Sequence, residues 1–304
     1  MSDTKFTVDK AAHEAFAASA EFKAGMVRAE GAAPLAPRVT VRQHDAALLA
    51  EHALAREERV QRLLATIDEC PAHGPWKAYE RLAGGSVGRL PQCPACAASD
   101  RIERALGRSG IPPRFKALTL DAYRAEIPGE ASAKNEAVNY ARDFAALGMA
   151  GHCLILHGTF GTGNTHLACG IGLEIIQQGF TVAHFTVLDV VRRWRESWAP
   201  ALPGQAARMS EADVLRGFVA VDLLILEEIG RSKDSESERG HLFEILDGRY
   251  GHNKPTLITS NYPLTGGRKS IEGFLGQAAY DRLWRNGCTP VAFNWSSFTQ
   301  RAKT

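Results

Sequence analysis

A three-layer α/β fold around a parallel sheet is what this sequence predicts, on two observations. Short, continuously apolar segments alternate with stretches of helical composition, and one of those segments runs straight into a glycine-rich loop that opens a helix. Strands buried on both faces lose the alternation of polar and apolar residues, so plain apolar runs between helices indicate a parallel sheet covered on both sides. In chain order, a helical stretch over 134–147 leads to a strand at 153–156, the glycine loop and a helix from Thr165 to about Gln178. A strand at 180–187 and a helix at 188–198 follow, then a polar loop with Pro200 and Pro203 and a helix near 211–218. Strands at 223–226 and 256–259 flank a helix at 242–250.

A chain of 304 residues, 45% of them hydrophobic, is long enough for one sizeable core and a smaller appendage. Its formal net charge of +2 excludes a molecule that is basic throughout, so any nucleic-acid contact has to be local. The first residues contain no apolar signal core, and no run of about 18 apolar residues occurs, which predicts a cytoplasmic protein with no membrane partner.

Residues 1–66 are rich in Ala, Glu, Arg and Leu. Leu48, Leu49, Ala53 and Leu54, and later Val60, Leu63, Leu64 and Ile67, recur at helical spacings over 44–67. That pattern suits a helical partner-docking segment, or a helix that packs on its own domain. Residues 31–37, with Gly31, Pro34 and Pro37, form a loop. From 67 to 100 the composition shifts to Cys, His, Gly and Pro with little periodicity, as in small folds organised around a metal. Pro112 and Pro113 mark a boundary, and the α/β domain is expected over 111–304.

Residues 158–165, Gly-Thr-Phe-Gly-Thr-Gly-Asn-Thr, lie between strand and helix, where the phosphate-binding motif G-x-x-x-x-G-K-[ST] belongs. Gly158, Gly161 and Gly163 let the backbone turn its N–H groups inward, and the helix start adds a positive dipole end. The loop as a whole, Gly158, Thr159, Phe160, Gly161, Thr162, Gly163, Asn164 and Thr165 with His166 after it, is the candidate cradle for ATP or ADP. Thr165 supplies a hydroxyl for Mg²⁺. Asn164 occupies the lysine position, and a neutral side chain there cannot neutralise charge that develops in phosphoryl transfer. Taken alone the loop is equally a chance glycine turn. Downstream, an apolar strand ends in Glu227 and Glu228, the first on the metal side and the second on the water-activating side, and Asn261 ends another strand where it can orient water.

Together the runs GTFGTGNTHLA, DLLILEEIG, LFEILDGRYGHNKPTLITSN, YDRL and VAFNWSSF resemble the AAA+ domain of DnaC-like helicase loaders and IstB-like transposition helpers over about 111–304. The resemblance implies a P-loop AAA+ fold in which 158–165 serves as Walker A, Glu227 and Glu228 as Walker B and Asn261 as sensor 1. It also implies that Arg282 is a finger toward a neighbouring subunit's nucleotide, and hence self-association; the competing reading is a salt-bridge residue on a helix surface. No sensor 2 arginine is assigned, since Thr299 stands where one is usual, with Arg301 nearby. Only 43 residues follow Asn261, which agrees with loaders that lack a C-terminal helical lid. The implied partners are a hexameric replicative DNA helicase and single-stranded DNA. The implied activity is ATP hydrolysis, made weak or absent by Asn164. A transposition helper on duplex DNA and a non-catalytic adaptor are the alternatives.

Cys70 and His73 are followed after 19 residues by Cys93 and Cys96. Two knuckles of this spacing supply three thiolates and one imidazole, a closed set suited to structural Zn²⁺; free thiols beside a surface histidine are the alternative. Helix 188–198 interleaves Arg192, Arg193 and Arg195 with Trp194 and Trp198, a pattern for phosphate contact and base stacking on a single strand. An amphipathic helix with buried tryptophans and solvated arginines competes with that reading. Arg231, Lys233, Arg249 and Lys254 are further basic candidates.

Overall fold

The computed structural model describes residues 41–198, 209–231 and 235–301. The expected loop at 31–37, the loop with Pro200 and Pro203, and Lys233 lie outside the described residues. The chain divides into two compact units: the described residues up to Glu69 with Lys77–Leu90, and Cys70–Trp76 with Pro91 onward.

In the first unit a 24-residue helix, Val41–Leu64, precedes a small antiparallel ribbon. Along the chain come β1 (Ile67–Cys70), β2 (Gly74–Lys77), β3 (Tyr79–Arg81) and β4 (Val87–Arg89). Arg81 pairs with Glu57 of the helix at 2.8 Å, and Val60, Leu63 and Leu64 are half-buried. The upstream part of the apolar stripe has no cover among the described residues: Leu49 and Leu54 are 69% and 67% exposed. The helix bears out the spacing only as far as Leu64: Ile67, expected as the last residue of the stripe, instead begins β1 and is 55% exposed, and among the described residues only the C-terminal half of the stripe is partly covered.

The second unit holds a five-stranded sheet in the order β6-β7-β8-β5-β9, with every adjacent pair parallel. Its strands are β5 (Cys153–Gly158), β6 (Val182–Thr186), β7 (Leu223–Ile229), β8 (Thr256–Ser260) and β9 (Cys288–Phe293). Leu154 to Leu156, Leu223 to Leu226, Leu257 and Ile258 are all 0% exposed, which is why these strands read as unbroken apolar runs. Side chains alternate between two cores. Leu154, Leu156, Leu223, Ile225 and Leu257 face helices Pro128–Arg142 and Asn164–Gln177, while Ile155, Leu224, Leu226 and Ile258 face helices Val187–Trp198, Glu211–Ala220 and Glu236–Gly251.

Three features depart from the sequence reading for identifiable reasons. The edge strand β9 escapes periodicity because Pro290 interrupts it, and an edge is where a strand tolerates proline. Helix Glu236–Gly251 starts six residues before the apolar pattern does, because Ser235 and Glu238 close a capping box. Residues 67–100 do have regular structure, two ribbons and the start of helix Pro94–Arg108. That helix continues through Ile102, Ala105 and Leu106, which pack against the sheet domain's core, so the second unit extends upstream of Pro112 and Pro113.

Arg249, a basic candidate, is only 1% exposed. Its guanidinium donates to the carbonyls of Phe218, Val221 and Asp222 at 2.8, 2.9 and 3.2 Å, and Nε donates to Thr256 Oγ1 at 3.1 Å. It ties the start of β7 to the start of β8 and is unavailable to a nucleic acid. Burial, partly offset by nearby anionic groups, lowers its pKa to about 10, still charged at neutral pH.

Candidate functional site

The glycine loop leaves the C-terminal end of β5 and helix Asn164–Gln177 begins at its far side. Its carbonyls are held from below. Phe298 N donates to Gly161 O at 2.9 Å, and Tyr123 Oη and Trp295 Nε1 each donate to Thr162 O at 3.2 Å. The N–H groups of Phe160 through His166 donate to no acceptor among the described residues, as befits an anion-binding helix start. Glycine is required at two points. Gly163 has φ 101°, and a Cβ there would sit 2.6 Å from the Tyr123 ring; at Gly158 (φ 149°) a Cβ would sit 2.3 Å from Phe293 O. Below the loop an ion pair joins buried Glu130 to half-buried Arg301. Although burial alone would raise the Glu130 pKa, Arg301 and the Glu126 and Ile127 N–H groups hold it below the usual range.

Asn164 is 8% exposed, and its Oδ1 lies 3.4 Å from Thr162 Oγ1, whose hydrogen goes to Thr159 O at 2.5 Å, so the amide stays against its own loop. Thr165 is half-buried beside it. His166 does not face solvent freely: Nε2 lies 2.9 Å from Thr119 O and the ring meets Tyr123 edge-on. Phe160 at the loop tip is 76% exposed.

The two carboxylates at the end of β7 diverge. Glu227 is 4% exposed and lies 3.0 Å from His184 Nε2. Glu228 adopts φ 61°, a left-handed conformation that is strained for a non-glycine residue. The β7–β8 register shifts between Leu226 and Ile229, so the strand bulges at these two residues. Thr259 Oγ1 accepts from Glu228 N at 3.2 Å, and the Glu228 carboxylate pairs with Arg231. A cavity of about 500 Å³ is lined by Phe160, Glu228, Arg231, Asn261 and Tyr262. The structure thus brings together the loop tip, one acidic residue and the strand-end amide expected from sequence. Arg231 and Tyr262 were missed as cleft residues; the only sequence signal was their position directly after the two strand ends.

The Cys/His set is equally well assembled. Sγ of Cys70 lies 3.6 Å from His73 Nδ1 and 3.6 Å from Cys96 Sγ, and His73 Nδ1 lies 3.5 Å from both Cys93 and Cys96. All four donor atoms fall within 4.8 Å of one another. A tetrahedron with bonds of about 2.3 Å to sulfur and about 2.0 Å to nitrogen has edges of roughly 3.5–3.8 Å, so the separations fit zinc. The hydrogen bond from Ala72 N, followed by His73, lowers Cys70 to about 6, whereas the bonds to Cys70 and Cys93 push Cys96 up to about 12. Crowded thiols of this kind are what a divalent cation relieves.

A profile of the IstB-like ATP binding protein family matches residues 136–304. The chain belongs to that family. It is 29% identical over 201 residues to the replicative helicase loader DnaC of Escherichia coli (strain K12), covering 66% of this chain and 77% of that protein. It is also 30% identical over 199 residues to the uncharacterized protein YdaV of the same strain, covering 65% and 74%. The crystal structure of the DnaC helicase loader superposes with a TM-score of 0.51 at 21% identity, over 60% of this chain and 100% of that one. That likeness establishes the AAA+ fold.

In this IstB-like chain the Arg282 guanidinium is held by neighbours in the same chain. Nε donates to Asp247 at 2.6 Å, Nη1 to Asp281 at 3.4 Å, and the guanidinium lies 5.3 Å from the Tyr250 ring centre. On helix Val187–Trp198 the expected stacking platform needs one correction. Trp194 is 1% exposed, stacked between Phe218 and His241, because its position on the helix faces the sheet. Trp198 is the exposed indole, at 52%. Arg192, Arg193 and Arg195 are exposed, with Arg192 paired to Asp189 at 3.2 Å and Arg193 over the Phe185 ring. Of the remaining basic candidates, Lys254 pairs with Asp222 at 2.6 Å.

Proposed function

We propose that this protein is a DnaC-like loader of a hexameric replicative DNA helicase, with residues 1–66 docking the ring and the AAA+ domain responding to nucleotide. The observation that carries this reading is the 201-residue similarity to a replicative helicase loader, which spans 77% of that protein; the matched family profile covers the phosphate loop, the acidic pair and Asn261. The supporting geometry is a loop whose carbonyls are bonded away and whose N–H groups await an anion.

In this reading ATP or ADP lies on the N–H groups of Phe160–Thr165, with Thr165 and Glu227 toward Mg²⁺. The ion, when bound, offsets phosphate charge. Glu228 and Asn261 orient water, with Glu228 first released from Arg231. Asn164 adds no charge where a lysine would add one, so nucleotide binding is weak and hydrolysis slow or absent. Zn²⁺ at Cys70, His73, Cys93 and Cys96 is structural. Single-stranded DNA follows Arg192, Arg193, Arg195 and Trp198, and self-association requires Arg282 to leave Asp247 for a neighbour's nucleotide.

Co-purification tests the proposal: a hexameric helicase should be retained by the full chain and lost on deleting residues 1–66. Retention by the truncated chain would refute the docking role, and no helicase in either preparation would refute the loader. The match to the IstB-like profile favours a second reading, a helper that assembles on duplex DNA. Filaments on duplex DNA, seen by electron microscopy without helicase, would replace the first reading with it. A non-catalytic adaptor is supported instead if helicase is retained with no ATP turnover even after N164K.

A further inference from the structure

The two oxygens of Glu227 have different surroundings. Oε2 lies 3.0 Å from His184 Nε2, whereas Oε1 is shut off from solvent and has no hydrogen-bond partner among the described residues. A buried carboxylate oxygen left in that condition is costly, so the site as it stands lacks one partner. Strand register explains why histidine is the residue that reaches Glu227. Thr186 of β6 pairs with Glu227 and His184 with Ile225, so all four side chains share one face of the sheet. Ile225 on that face packs in one core with Leu167, Ala168 and Ile171 of the helix that begins at Asn164. Glu227 therefore belongs to the layer of the phosphate-loop helix, while Glu228, at φ 61°, turns away to Arg231. His184 is fixed in its turn: it is 5% exposed, and its backbone N–H donates to Ser109 O at 2.7 Å.

We propose that His184 is the positioning residue for Glu227, binding Oε2 so that Oε1 is the oxygen offered to the magnesium ion of a bound nucleotide or to one of that ion's waters. Glutamate carries one more methylene than aspartate and so one more rotatable bond between backbone and carboxylate. A carboxylate on that longer stem needs a second contact to hold a fixed aim, and the imidazole supplies it, as outer-shell partners do for metal-binding carboxylates. His184 touches neither nucleotide nor metal and acts only through Glu227. The inference rests on Glu227 being the metal-side carboxylate of the proposed nucleotide site.

The test is a titration with a fluorescent ADP analogue, in Mg²⁺ and in EDTA, of the full chain and of E227Q, H184L and H184Q, each with and without N164K to raise affinity. The quantity read is the ratio of affinities with and without Mg²⁺, with the melting temperature measured alongside. The ratio should fall about tenfold in E227Q and H184L and stay within about twofold in H184Q, whose amide still donates to Glu227. A ratio lost in E227Q but kept in H184L would overturn the positioning role and leave the metal-side reading standing, even if H184L melts lower. A ratio unchanged in every variant, or no ADP binding even with N164K, would overturn both. If H184L fails to fold, H184N, whose amide stops short of Glu227, takes its place with the same expected loss.

Discussion

The phosphate loop rests on strands whose central residues are fully buried, whereas over residues 67–100, which supply the Cys/His cluster, only Ala78 and Cys93 are buried. In the first region the scaffold is independent of the chemistry. The loop is shaped by its glycines and by the bonds from Tyr123, Trp295 and Phe298, none of which involves residue 164. In the second region only Cys93 of the four donors is buried and His73 is exposed, so on the zinc reading a ligated ion takes the place of a core. A change of side chain at residue 164 therefore leaves the scaffold of the first region intact.

The most severe way to break this contrast is to remove the metal. Chelation, or C93S, should abolish hydrogen-exchange protection over residues 67–100 while β5 to β9 stay protected, since metal binding in zinc-finger peptides is worth about 10–16 kcal/mol. Unchanged protection in a metal-free preparation would mean that the cluster is not structural. The reverse experiment is L226A in the fully buried centre of β7, which should cost about 2–5 kcal/mol in denaturant unfolding and leave the zinc content of the folded protein unchanged.

A milder change tests whether chemistry and scaffold are separable in the loop. N164K should tighten nucleotide binding at least tenfold by calorimetry, or about 1.4 kcal/mol, with no change in melting temperature when nucleotide is absent. An altered melting temperature in that condition would show that Asn164 is part of the scaffold after all.

The smallest expected effect concerns an ion pair at the base of the sheet. Burial alone would raise the Asp222 pKa, but Lys254 at 2.6 Å and the Thr181 N–H and hydroxyl hold it below the usual value. A depressed carboxylate stabilises the fold above its unfolded pKa, about 3.9, and that contribution disappears as pH falls through the folded value. K254A should therefore shift the acid-unfolding midpoint upward, at a cost of no more than about 1 kcal/mol because both partners are about a third exposed.

Much of this molecule was legible in its sequence. Continuous apolar runs follow from strands covered on two faces, glycines at 158, 161 and 163 follow from a loop that admits no side chain at its closest approaches, and the two knuckles expected from their spacing bring four donor atoms within 4.8 Å of one another. What periodicity could not show is which partner each polar side chain finds across the fold. Trp194 and Trp198 are four residues apart on one helix, yet only packing against Phe218 and His241 decides that the first is core and the second surface. Arg249 looked like a surface charge until five backbone carbonyls from two strand starts and a helix end closed around it. Glu227 and Glu228 are neighbours in sequence, and a bulge in β7 sends one to His184 and the other to Arg231. Residue types fixed what chemistry was available, because ligation, glycine conformation and apolar burial are local or periodic properties. Only tertiary structure could assign the partners, since each of those contacts joins residues far apart in the chain or turns on a single irregularity in strand pairing.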